Sequence, residues 1–201
     1  PDLNLWGDIT KQTGIFIDVG SHTGLYTIVG LISNPNNFLI SIEPSYLNMG
    51  RMMSNLRLNN IFKNHAKILA AASDETGTKN FLFHHDQTFM SKGGRISENG
   101  ESINVLKLDD ININDERKVR GIKIDTEGED YKVLLGAKNL ISKNLPDIII
   151  EVREENKILI KDFLFALGYK FFLVLNDLKE VDIVNLKIDI SINIFATVIH
   201  D

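Results

Sequence analysis

The sequence predicts an α/β protein built on a mostly parallel sheet, with helices on both faces and an antiparallel hairpin at its C-terminal end. Three observations carry this. Short apolar runs alternate with helical patterns about five times, which implies parallel strands joined by crossover helices. The last two apolar runs have no long helix between them, so they can pair only as antiparallel neighbours. Acids and glycines cluster just past the apolar runs, at the rim where such sheets bind ligands. With 201 residues the chain fits one domain, 1–201, long enough to bury a sizeable core.

The elements follow in order. "GIFIDVG" reads as the first strand, and the helical pattern from Leu25 to Ser33 stops at Asn34-Pro35. "FLISIEP", Phe38 to Pro44, is the second strand. Ser45 is placed to cap the next helix, which carries Leu47, Met52, Met53 and Leu56. "AKILAAAS", Ala66 to Ser73, reads as one third strand, and "DETGT" as a turn into a hairpin arm, "KNFLFHH". The polar stretch 86–102 is a loop candidate for contacting a substrate, and the hairpin returns at "INVLKLDD". "GIKIDTEGED" is a fourth strand ending in acids, followed by a helix with Val133, Leu134, Ala137, Leu140 and Ile141. "PDIIIEV" is the fifth strand. A helix over 158–167 is closed by Gly168, and "YKFFLVL" and "INIFATVIH" form the terminal pair.

Composition narrows the function classes. There are no cysteines, which excludes disulfides and thiolate–metal sites. A net charge of −5 argues against a nucleic-acid partner. No run of 18 or more apolar residues and no basic-then-apolar N-terminal signal is present, so a cytoplasmic enzyme with no membrane partner is the expectation. The chain opens at Pro1 with a core strand expected within about a dozen residues, which reads as a piece of a longer protein. No feature of the sequence sets an oligomeric state.

The chemistry concentrates at the strand ends. Asp18 follows the first strand, Glu43 the second, Asp125 and Glu127 the fourth, and Glu151 the fifth. Any one acid there is unremarkable, but four strands presenting acids to one rim suggest a cationic or hydroxyl-rich ligand. The first loop is spaced Asp-x-Gly-x-x-x-Gly, Asp18 to Gly24, and differs from the dinucleotide pattern Gly-x-Gly-x-x-Gly. A pyrophosphate disfavours that carboxylate, whereas an amine or sulfonium tolerates it. Glu43 comes 23 residues after Gly20, where such folds place the acid that accepts ribose hydroxyls. Ribose without phosphate matches S-adenosylmethionine.

Motifs add a resemblance. "FIDVGSHTGLYT", "SIEPS", "LKLDD", "IKIDTEGEDYKVLLGA", "PDIIIEV" and "LGY" resemble the FkbM family of S-adenosylmethionine-dependent methyltransferases, over residues 15–170. The resemblance implies a Rossmann-like class I methyltransferase fold, with a seven-stranded sheet and a reversed hairpin, and O-methylation of a saccharide or small metabolite. It places Asp18, Gly20, Ser21, His22 and Gly24 along the methionine part of the cofactor and Glu43 on the ribose. Ala72 and Asp74, within 71–74, would flank adenine, and Asp125 and Glu127 would lie near the transferred methyl. The family usually has more chain before the first motif.

In this reading Asp125 orients the acceptor, and Glu127 or Glu151 serves as base or substrate contact. Glu127 could instead bond backbone amides near the following helix start. His84 and His85 read as solvated positions in the hairpin arm, and His65 and His200 as structural. Asp125, Glu127 and Glu151 could offer oxygens to magnesium, but the neighbouring Asp-Asn pair of metal-dependent O-methyltransferases is not evident, so no metal is expected. The fourth strand lacks the Asn/Asp-Pro-Pro-aromatic signature of N-methylation. A nicotinamide oxidoreductase and a non-catalytic cofactor-binding module are the alternatives. Tyr131-Lys132 is too tightly spaced for the first.

Overall fold

The computed structural model describes residues 1–85, 91–96, 98–174 and 177–199. In chain order its elements are α1 (Asp2–Ile9), β1 (Ile15–Val19), α2 (Leu25–Ser33), β2 (Phe38–Ile42), α3 (Tyr46–Leu58), β3 (His65–Ile68), β4 (Ala71–Ala72), β5 (Gly77–His85), β6 (Ser91–Ile96), β7 (Glu101–Leu106), β8 (Val119–Ile124), α4 (Asp130–Gly136), α5 (Lys138–Asn144), β9 (Asp147–Val152), α6 (Lys157–Phe165), β10 (Lys170–Val174), β11 (Leu178–Glu180) and β12 (Ile192–Thr197). The main sheet has the order β11-β10-β12-β9-β8-β1-β2-β3. Strands β3, β2, β1, β8 and β9 run parallel, and β12 and β10 are antiparallel to their neighbours. The seven expected strands are all present. An eighth, the three-residue β11, adds to the outer edge beside β10.

Alternation along the strands sends side chains to two cores. Ile15, Ile17 and Val19 pack with Ile122, Ile124, Val133, Ile141 and Ile160, under α4, α5 and α6. Phe16 and Leu39 face the other way, against Trp6, Ile28, Met52 and Leu56 of α1, α2 and α3. Ser45 caps α3 as expected, its hydroxyl accepting from the Asn48 amide. Helix α1 goes beyond the sequence reading: Trp6 is fully buried, and its indole donates to the Tyr26 carbonyl at 2.9 Å.

Two expected elements are divided. The run 66–73 splits at Leu69-Ala70, so that β3 completes the main sheet while β4 begins a second sheet, ordered β4-β7-β5-β6. The hairpin arm β5 pairs with its returning arm β7, and β6 covers its other edge. The helix expected through 133–141 breaks at Ala137 into α4 and α5. There Gly136 passes so near the Ser73 carbonyl that a Cβ would collide with it. The stretch 86–102, expected as a loop, instead contains β6 and the start of β7; its residues 86–90 and 97 lie outside the described residues, as do His200 and the side chains of His84 and His85. Among the described residues, no helix is long and apolar enough to cross a membrane.

Candidate active site

The chain order of the main sheet reverses between β1 and β8, and a cavity of about 480 Å³ opens beyond the strand ends there. Its walls include Gly20 and His22 after β1, Glu43 and Pro44 after β2, Asn48 of α3, Ala70 to Ala72 at the β3–β4 break, and 125–127 with Glu129 after β8. Phe81 of β5 and Gly94 of β6 close it from the second sheet.

The glycine turn is built by close approach. Gly20 has φ +72, and a Cβ there would strike the Asp125 carbonyl, so this turn and the loop after β8 are pressed together. The Gly20 and Ser21 amides donate to the Ile42 carbonyl at 3.0 and 3.1 Å, and the Gly24 amide donates to the Ser21 carbonyl at 2.8 Å. Gly24, at φ +83, packs on Met52. His22 adopts φ +50, which aims its backbone amide at Glu43 Oε2, 2.9 Å away.

Glu43 is 5% exposed yet lines the cavity. Its Oε1 accepts from the Ser45 amide at 3.0 Å and from Asn48 Nδ2 at 3.2 Å. Burial pushes its carboxyl above the usual range, opposed by these three donors. Asp18 stands behind the turn, on the α2 face of β1 and off the cavity wall. Its Oδ2 accepts from the Thr27 amide and hydroxyl at 3.1 and 2.8 Å. Its Oδ1 is buried with no hydrogen bond among the described residues. Burial raises its pKa, and the strongest opposing influence is Lys123, its register partner on β8. Ser21 and Gly24 also stand behind the wall, shaping the turn, and Ala72 lies on it. Asp74 is exposed, accepts from the Ser73 hydroxyl, and is absent from the lining.

The acids after β8 and β9, equivalent in the sequence, have different partners. Asp125 Oδ2 accepts from Lys123 Nζ at 3.0 Å; Lys123 is 5% exposed, and its ammonium lies 4.8 Å from the Tyr26 ring centroid. Glu127, at φ +57, is paired through Oε2 to Arg153 Nη2 at 2.8 Å. Glu151 accepts from Nε and Nη2 of the same guanidinium at 3.2 Å and is not on the cavity wall. The backbone-bonding role weighed for Glu127 belongs to Asp130. That buried carboxylate accepts from the Thr126 amide and hydroxyl and from the Gly128 amide at 2.9 to 3.1 Å. Burial raises its pKa to about 6.

Lys123, Asp130, Arg153 and Phe81 were not singled out from sequence. Only Lys123 carries a local signal, a lone charge inside the apolar run "GIKI". Among the described residues, no cluster of three or more His, Asp or Glu side chains is placed to hold a metal ion.

The fold is shared with solved structures. A structure titled methyltransferase FkbM from Methylobacillus flagellatus KT superposes with a TM-score of 0.64 at 18% identity, covering 92% of this chain and 43% of that one. M. jannaschii TYW2 in complex with AdoMet gives a TM-score of 0.53 at 12% identity over 97% of this chain and 72% of that one. A SAM-dependent O-methyltransferase from Thermotoga maritima gives 0.54 at 14% identity over 100% of this chain and 65% of that one. The fold is therefore that of the Rossmann-like methyltransferases. A profile of the methyltransferase FkbM domain matches residues 18–171, and the chain belongs to the FkbM methyltransferase family. A search of curated proteins returns no match.

Proposed function

We propose that the protein is an S-adenosylmethionine-dependent methyltransferase that methylates a hydroxyl of a saccharide or small metabolite. The observation that carries this reading is Glu43: a buried carboxylate on the cavity wall, joined to the glycine turn through the His22 amide. A carboxylate offers about four acceptor positions. Three are taken by protein donors, so Oε2 keeps room for a ribose hydroxyl. The neighbouring walls suit the rest of such a cofactor. Ala70 to Ala72 are apolar enough for adenine, and Asp125 and Glu127 favour a positive centre.

The bound cofactor would supply an electrophilic methyl on a sulfonium. The chain's own task is then positioning, which can contribute effective molarities of ~10⁵ M or more. Gly20, His22 and Glu43 would hold the donor, with Asp18, Ser21 and Gly24 fixing the turn behind them. Asp125 would orient the acceptor hydroxyl and take its proton at Oδ1, because Lys123 occupies Oδ2. Glu127 and Glu151 share Arg153, which favours substrate contact over a base role.

Calorimetry with S-adenosylmethionine, S-adenosylhomocysteine and NAD tests the cofactor: the first two should bind and NAD should not. A labelled-methyl assay over sugars and hydroxylated metabolites tests the acceptor. NAD binding, or label reaching only amines, would overturn the reading.

A further inference from the structure

Phe81 reaches the cavity from outside the main sheet. It lies on β5, and the chain leaves the main sheet at Ala70 to form the second sheet that carries it. Phe81 is 7% exposed, yet it lines the cavity. Two glycines make its place. A Cβ at Gly94, on the paired strand β6, would collide with the ring, and a Cβ at Gly100 would collide with the Phe81 carbonyl. Phe83 packs beside it with ring centroids 4.8 Å apart and planes tilted by 55°. The cavity wall is therefore divided. The strand order puts Ala70 to Ala72 beyond β3 and Asp125, Glu127 and Glu129 beyond β8, with Glu43 between them after β2, and Phe81 adds to the apolar lining.

A ligand with a flat base at one end and a cation at the other fits this division in one direction only. We propose that Phe81 is the aromatic platform for the cofactor's adenine, contributed by the second sheet. The inference rests on the cofactor reading above and goes beyond it by naming a base contact that the strand-end motifs do not contain. Alanine substitution under a stacked base weakens binding by ~1–3 kcal/mol, or roughly 5- to 150-fold at 1.4 kcal/mol per decade.

The test uses two variants and two probes, S-adenosylhomocysteine and adenosine. Phe81→Leu keeps an apolar side chain and removes the π face. Gly94→Ala keeps Phe81 in the chain and displaces its ring. Each should weaken both ligands by a similar factor, about threefold to tenfold for Phe81→Leu, because the contact lies on the part the ligands share. Loss of S-adenosylhomocysteine with adenosine unchanged would put Phe81 on the amino-acid tail and overturn the proposal. So would two variants that bind both ligands like the unmodified chain. If the unmodified chain binds neither probe, the cofactor reading itself fails, and this inference falls with it.

Discussion

The Glu43 carboxylate accepts from the His22 and Ser45 amides and from Asn48. These donors oppose the burial that raises its pKa, and they take up three of its acceptor positions. Glu43→Ala should therefore lower S-adenosylmethionine affinity by about tenfold to a hundredfold in a calorimetric titration, the scale of a hydrogen bond to a charged group. Asp125→Asn should separate differently. Turnover with an acceptor found in the panel should fall by about 10² or more, a larger factor than the loss of cofactor affinity. Lys123 serves two acids, Asp125 by direct contact and Asp18 across the register. Lys123→Met leaves both without their cation, and should cost ~3 kcal/mol or more in denaturant unfolding. The acids themselves were legible in the sequence, because each follows an apolar run. Their partners were not: Arg153 lies 26 residues from Glu127, and no periodicity encodes that distance.

The loop after β8 is held from two sides, and neither support touches the cavity. Asp130 grips the Thr126 and Gly128 amides, while Arg153 ties Glu127 to Glu151. Asp130 gives the loop a pH dependence. Its folded pKa is raised to about 6 from 3.8, so the folded chain holds this proton more tightly than the unfolded chain. The group's stabilising contribution is present below about pH 4 and is lost as pH rises through about 6. Unfolding measured at pH 4 and pH 7 should show the unmodified chain losing up to ~3 kcal/mol relative to Asp130→Asn. At the break between α4 and α5, Gly136 passes close over Ser73. In sequence that helix reads as continuous, because its apolar spacing runs on through Ala137. The run 66–73 is likewise uniformly apolar, and hydrophobicity carries no mark of where a strand changes sheets. Ser45, by contrast, was legible as a cap because its residue type and position imply it.

At the scale of the molecule, the parallel sheet could be read from composition along the chain, since each central strand is buried on both faces and contains few polar residues. Helix α1 could not. It is eight residues long, and only Trp6 within it is fully buried. That single side chain nonetheless ties α1 to Phe16 and Tyr26, with ring centroids 5.7 and 6.0 Å away. Trp6→Ala should cost ~3–5 kcal/mol and lower the melting temperature by roughly 6–20 °C. The second sheet brings Phe81 to a cavity otherwise built from strand ends, and no strand-end motif announces it. The account as a whole rests on one carboxylate recognising a ribose. Its most direct test is a calorimetric titration of S-adenosylmethionine into the unmodified chain and into Glu43→Ala at equal protein concentration. The account predicts saturable binding to the first and at least a tenfold loss in the second. Equal affinities, or no binding to the unmodified chain, would contradict it.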